Sequence, residues 1–291
     1  MNLRVIIMNT VTAFVWTCLF SVTTMAQTSG PESGSLVIVG GGMHDLSILV
    51  RFGELAGGVE VPIVVIPTAG GAEDYNQSWQ GLQQFRDAGL ANVTVLHTYD
   101  PSIADTDAFA ALIQEARGVW FTGGRQWRLA DAYINTKVHD ALWDLLSRDG
   151  VIGGSSAGAT ILGSYLARGD TSGNTIMMGD HEEGLGFIKN VAIDQHLLRR
   201  NRHFDLIEII EEKPELLGIG LDENTAIVVR GNRFEVVGQS YVAIFDHGRM
   251  LDSGGKFYFL EPGDQFDMLE RQAFRLQTVL EPVDRVIEQN W

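Results

Sequence analysis

Short apolar runs rich in β-branched residues recur through the first half of the chain: Ser35–Val39, Val61–Ile66, Val93–His97, Gly118–Phe121 and Val151–Ile152. Each is too short for a buried helix, and between them Ser78–Ala88 and Asp105–Ala116 place apolar residues at helical spacing. Such alternation restricts the chain to the α/β class, with a mostly parallel sheet covered by helices on both faces. In sheets of this kind the loops at the carboxyl ends of the strands build the site. Thr68-Ala69-Gly70-Gly71, Thr122-Gly123-Gly124 and Gly153-Gly154-Ser155-Ser156 all follow strands directly, so the three loops are expected to converge on one crevice.

The third loop carries a chemical signal. Gly154-Ser155-Ser156-Ala157-Gly158 lies between the run ending at Ile152 and a small-residue helix expected over Ala159–Gly163, and has the form of a nucleophile elbow. A sharp strand-to-helix turn lifts a serine hydroxyl clear of the sheet and aims a helix N-terminus at the reacting oxygen. The flanking glycines tolerate that backbone, although a tight βα connection without chemistry has the same composition.

Beyond Gly218 the pattern changes. Thr225–Arg230, a Gly231-Asn232 turn and Arg233–Val237 read as a hairpin, and Val242–Phe245 and Phe257–Leu260 as further strands. The expectation is a C-terminal antiparallel extension of the sheet.

Residues 1–26 read as a secretory signal peptide: Arg4 in the n-region, an apolar stretch from Val11 to Val22, and a small residue at Ala26. The apolar stretch is shorter than the ~20 residues that span a bilayer. The 291-residue chain has one cysteine, Cys18, inside this segment, so a mature protein would carry no disulfide. No Pro/Ser-rich linker or charge block divides residues 27–291, which read as one domain. Loss of residues 1–26 removes Arg4 and no acid, taking the formal charge from −16 to −17. So acidic a chain is a poor partner for nucleic acid or, once the signal is cleaved, for a membrane. The expected location is periplasmic or secreted; a homodimer is left open.

A serine is a weak nucleophile at neutral pH and needs a base within hydrogen-bond reach, with a third group orienting that base. Three further segments bear on this: Phe121-Thr122-Gly123-Gly124-Arg125-Gln126, Ile193-Asp194-Gln195-His196 continuing to Arg202, and Gly220-Leu221-Asp222-Glu223-Asn224-Thr225-Ala226. With the elbow, they resemble, in the same order, the motifs of the cyanophycinase family of serine peptidases, relatives of aspartyl dipeptidase. That resemblance implies a class I glutamine amidotransferase-like (flavodoxin-like) fold and hydrolysis of peptides with aspartyl or arginyl units, without a cofactor. It implies Ser156 as nucleophile, His196 as base and Glu223 as orienting acid, with Asp170 the alternative acid if the chain order followed the α/β-hydrolases. The Gly124 and Ala157 amides would form the oxyanion hole. Gln126, Asp194, Gln195, Arg200 and Arg202 would bind substrate. Arg125 stands where the family usually has aspartate, and Asp205 where a third substrate-binding arginine is expected, which weakens the case for cyanophycin itself. Arg199 reads as a solvated residue.

Two clusters carry less. Gly40-Gly41-Gly42 lacks the third glycine of a dinucleotide fingerprint and the Lys-Ser/Thr of a P-loop, and reads as a turn. His181-Glu182-Glu183 lacks the spacing of metal ligands, and no metal site is expected. Besides the exopeptidase, an esterase, a general aspartyl dipeptidase using the same serine, and a non-catalytic acidic-peptide-binding protein remain open.

Overall fold

The structure is a computed structural model that describes residues 28–248 and 255–275. The expected signal peptide and Cys18 lie outside the described residues.

The main sheet begins with five parallel strands, β1 (Ser35–Val39), β2 (Ile63–Ile66), β3 (Val93–Val95), β4 (Gly118–Phe121) and β5 (Val151–Ser155), in the spatial order β1-β5-β4-β2-β3. Around them run helices α1 (Ser47–Ala56), α2 (Gln83–Asp87), α3 (Pro101–Ala104), α4 (Asp107–Glu115), α5 (Gln126–Tyr133) and α6 (Lys137–Ser147). Alternate side chains of a strand face opposite sides of its sheet, and here both sides are apolar. Val37 and Val39 of β1 enter one core with Leu49 and Phe52 of α1. Leu36 and Ile38 enter the other with Leu142 and Leu145 of α6. Each such side chain is worth roughly 1.5–3 kcal/mol when fully buried, which explains why these strands are apolar throughout.

After β5 come α7 (Ala157–Thr160), β6 (Gly163–Tyr165), β7 (Ile188–Gln195), α8 (Asp205–Glu212), β8 (Leu217–Leu221), β9 (Thr225–Arg230), β10 (Arg233–Gly238), β11 (Val242–Asp246), β12 (Tyr258–Leu260), β13 (Gln265–Asp267) and β14 (Gln272–Phe274). The hairpin β9–β10 pairs antiparallel to β1 and extends the main sheet outward through β13 and β14. The α/β class and the β9–β10 hairpin are as expected, but Val242–Phe245 and Phe257–Leu260, expected to extend the same sheet, fall in β11 and β12 of a separate one. A second sheet, ordered β12-β11-β8-β7-β6 among the described residues, is not foreshadowed by the sequence. One of its faces shares the core of the main sheet through Ile193, Ile219 and Ile244, while the other packs Ala192 and Phe245 against Leu206 and Ile209 of α8.

Two helices are shorter than their patterns suggest. Ser78–Ala88 contains only a 3₁₀ turn at Gln80–Leu82 followed by α2, consistent with the low helix propensity of Gly81. Past the elbow, α7 ends at Thr160 and Gly163 already opens β6.

Candidate active site

Ser156 follows β5 with φ 57° and ψ −115°, outside the conformations a serine ordinarily adopts. Its amide donates to the carbonyl of Val39 at 3.0 Å, which ties the turn to the end of β1. His196 follows β7 in the second sheet and also has a positive φ, 56°. Glu223 lies on the crossover by which the chain leaves β8 and returns to the main sheet as β9. The junction between the two sheets therefore brings three distant residues together. Ser156 Oγ is 2.9 Å from His196 Nε2, and His196 Nδ1 is 2.6 Å from Glu223 Oε1. A proton on Nδ1 held by the carboxylate leaves Nε2 free to accept from the serine.

The register of the second sheet produces this meeting. Asp194 pairs with Gly220 and Gln195 with Leu221, so His196 and Asp222 both leave the sheet at the same level and Glu223 comes next. Asp222 fixes the following turn, since its Oδ1 accepts from the amides of Leu198 and Arg199 at 3.0 Å each.

The Gly40-Gly41-Gly42 segment is more than a turn. Gly40 accepts the amide of His196 at 2.9 Å, and Gly41 accepts that of Asn224 at 3.0 Å. Gly41 has φ 118°, and a β-carbon there would collide with the imidazole of His196; one on Gly42 would collide with the Glu223 carboxylate. This loop forms the wall behind the His–Glu pair, a role that the strand-then-glycine pattern alone does not reveal.

On the other side of the serine, an ideal β-carbon on Gly123 would stand 3.3 Å from Ser156 Cβ. Gly124 has φ 146°, and a side chain there would strike the carbonyl of Ala69, so only glycine fits. Neither the Gly124 nor the Ala157 amide has an intramolecular acceptor among the described residues.

Burial holds the His196 pKa below its ordinary value; the bond to Glu223 opposes this, and the Arg200 and Arg202 guanidinium groups reinforce it. The imidazole is thus kept neutral, as a proton acceptor must be.

The structure redistributes the residues expected to bind substrate. Asp194 is completely buried and accepts two bonds from Arg168, at 2.7 and 3.1 Å, forming an internal ion pair. Gln195 is 2% exposed, and its side-chain oxygen is taken by Arg202. Gln126 is fully buried; its amide nitrogen donates to the carbonyl of Ala167 at 2.7 Å, while its Oε1 has no hydrogen-bond partner among the described residues. Asp194 and Gln195 follow one rule, that a polar group taken out of water finds internal partners, and here two arginines supply them.

Arg200 and Arg202 both border a cavity of about 470 Å³, together with Arg168, Phe204, Asp205 and Glu208. Arg200 makes no ion pair among the described residues, and Arg199, 74% exposed in its side chain, stands 3.9 Å from Glu223. Asp170, the alternative acid, accepts from the amides of Ser172 and Gly173 in its own loop, and no bond joins it to His196. Arg125 donates to the Asp170 carbonyl at 2.5 Å. Among the described residues no group of three or more His, Asp or Glu side chains converges as metal ligands would. His181 bonds to Asp180 and Asp131, while Glu182 bonds to Tyr165. No described helix is long and apolar enough to cross a membrane.

Comparison with known proteins identifies the family. Residues 36–237 match the model of Peptidase family S51. A cyanophycinase of Geminocystis herdmanii is 31% identical over 73% of this chain and 80% of its own length. One from Trichormus variabilis is 29% identical over 87% of this chain and 89% of its own. Among solved structures, a peptidase from an acI-B1 actinobacterium superposes with a TM-score of 0.63 at 28% identity, covering 82% of this chain and 98% of that one. A putative peptidase E from Listeria monocytogenes, at 17% identity and a TM-score of 0.51, shares the fold; 72% of this chain and all of that one are covered.

Proposed function

The chain belongs to peptidase family S51 and is a serine-type peptidase, and from that premise we propose that it is an exopeptidase cleaving β-aspartyl or aspartyl peptides, cyanophycin included. The observation that carries this proposal is the continuous hydrogen-bond chain from Ser156 through His196 to Glu223. In the proposed cycle Ser156 Oγ attacks the scissile carbonyl as His196 Nε2 takes its proton. The oxyanion accepts from the Gly124 and Ala157 amides. His196 then protonates the departing amine, leaving an acyl-enzyme, and activates a water that releases the acid and restores the serine. Glu223 holds the Nδ1 proton and stabilises the imidazolium in both halves.

Arg200 and Arg202 are proposed to hold a substrate carboxylate, because guanidinium groups bind carboxylates with charge-assisted bonds. Asp205 and Glu208 share that cavity, so its charge is mixed. This favours peptides bearing both signs of charge over purely acidic ones. Amino-acid release from cyanophycin, β-Asp-Arg, isoaspartyl and α-aspartyl dipeptides, with Ser156→Ala as control, tests the proposal. Hydrolysis of esters but of no peptide would replace it with an esterase, and binding without turnover would make the protein a peptide carrier.

We further propose export to the periplasm or medium through residues 1–26. Edman or mass analysis of the N-terminus of the exported protein should place the new terminus near Gln27; an intact Met1 would reject this. A homodimer is proposed only as an assembly to be sought by light scattering.

A further inference from the structure

The proposed chemistry leaves one deeply buried cation unused. Arg168, beyond β6, is 2% exposed and has φ 59°. Its Nε donates to Asp194 Oδ1 at 2.7 Å, Nη2 to Asp194 Oδ2 at 3.1 Å and Nη1 to the Asn174 carbonyl at 2.9 Å, and Nη2 also pairs with Asp205. Its own amide donates to the Met177 carbonyl at 3.0 Å, which fixes the backbone from which the guanidinium extends. A charge so far from water persists only where partners compensate its desolvation, and here nearly every donor is engaged.

The two residues before His196 are each gripped by an arginine. Arg168 holds the Asp194 carboxylate, and Arg202 Nη1 holds Gln195 by its carbonyl, at 3.2 Å, and by its side-chain oxygen. Arg202 Nη1 also stands 3.8 Å from Asp194 Oδ1. Arg168 and Arg202 against Asp194 and the partly exposed Asp205 make the unit neutral overall, which lowers the cost of burying its other three members. His196 itself sits at a positive φ that a non-glycine residue keeps only when its surroundings over-determine it. The Gly40 carbonyl holds its own amide, Asp222 constrains it from the following side through the amides of Leu198 and Arg199, and the arginine pair constrains it from the preceding side.

We propose that Arg168 is a positioning residue for the base, fixing the end of β7 through Asp194 and so holding the His196 imidazole between Ser156 and Glu223. This rests on the Ser–His–Glu assignment above. Arg168 has no bond to Ser156, His196 or Glu223, so its influence passes through the backbone. With Arg168 gone, Asp194 becomes a lone buried carboxylate whose nearest remaining cation is Arg202. Drawing Arg202 toward Asp194 would release Gln195, and both grips would loosen together.

Two variants of the full chain test this: Arg168→Lys, which keeps one cationic donor, and the pair Arg168→Gln with Asp194→Asn, which removes both buried charges while leaving hydrogen-bonding groups. The readouts are kcat and KM on β-Asp-Arg, the melting midpoint, and the rate at which diisopropyl fluorophosphate labels Ser156. That small reagent needs the base but not the arginine-lined cavity. Both kcat and the labelling rate should fall about tenfold or more, with KM changing less than about threefold. A folded variant that labels Ser156 at the wild-type rate would overturn the proposal, as would a change confined to KM or to the melting midpoint. Should Arg168→Lys not fold, the charge-free pair decides. Failure of the wild type to label at Ser156 would instead reject the nucleophile assignment on which the inference stands.

Discussion

His196 Nδ1 lies 2.6 Å from Glu223 Oε1, although His196 directly follows a strand of the second sheet and Glu223 lies on the connection back to the first. The pair fixes one tautomer of the imidazole and places a negative charge where an imidazolium forms. Glu223→Gln should therefore lower kcat by about 10³-fold or more, whereas Asp170→Asn should leave it within about threefold. Steady-state kinetics on β-Asp-Arg distinguish the two. A larger loss from Asp170→Asn would show that the acid has been misassigned.

Burial depresses the His196 pKa, and Arg200 and Arg202 add to the depression despite the opposing Glu223. Because the base acts only when neutral, a lowered pKa carries activity further into acid. The acid limb of kcat/KM should lie below the ordinary histidine value of about 6.5. Arg200→Ala removes a nearby positive charge, so the limb should move to higher pH; a shift to lower pH would contradict the electrostatic assignment.

Arg200 and Arg202 should behave differently. Arg200 is exposed and without an ion-pair partner among the described residues, so Arg200→Ala should raise KM for substrates with a free carboxylate about tenfold and change kcat little. Arg202 is 8% exposed and bonded to Gln195 beside the base, so Arg202→Ala should lower kcat as well. Equal losses for charged and neutral substrates in Arg200→Ala would remove the carboxylate-binding role.

Gly41→Ala places a methyl group against the imidazole at a φ of 118°. Displacing the base by about 1 Å is expected to cost about 10²-fold in kcat, with KM little altered. Wild-type kcat in that variant would show that the glycine loop does not set the position of His196.

The parallel core was legible because Leu36, Val37, Ile38 and Val39 advertise a strand buried on both faces, and the β9–β10 hairpin because Gly231-Asn232 separates two β-rich runs. The second sheet was not: β11 and β12 were readable as strands, but pairing between strands leaves no local pattern to say which sheet they join, and β6 is only three residues long. The elbow and the Asp-Gln-His segment pointed to Ser156 and His196 through motif and resemblance. Burial was the property that escaped: Asp194, Gln195 and Gln126 are polar residues in recognisable motifs, and nothing local says that all three are buried, or that Arg168 and Arg202 engage the first two. Arg168 carries no signal beyond an ordinary Arg-Gly-Asp turn, and the meaning of Gly40–Gly42 depends on His196, more than 150 residues away along the chain.

The most direct measurement is the rate of arginine release from β-Asp-Arg by purified wild-type and Ser156→Ala protein, with folding checked by thermal melting. The wild type should turn over, and Ser156→Ala should melt as the wild type does while losing several orders of magnitude in kcat, because the hydroxyl that forms the acyl-enzyme is gone. Undiminished arginine release from folded Ser156→Ala would contradict the assignment of Ser156, and with it the whole Ser–His–Glu mechanism.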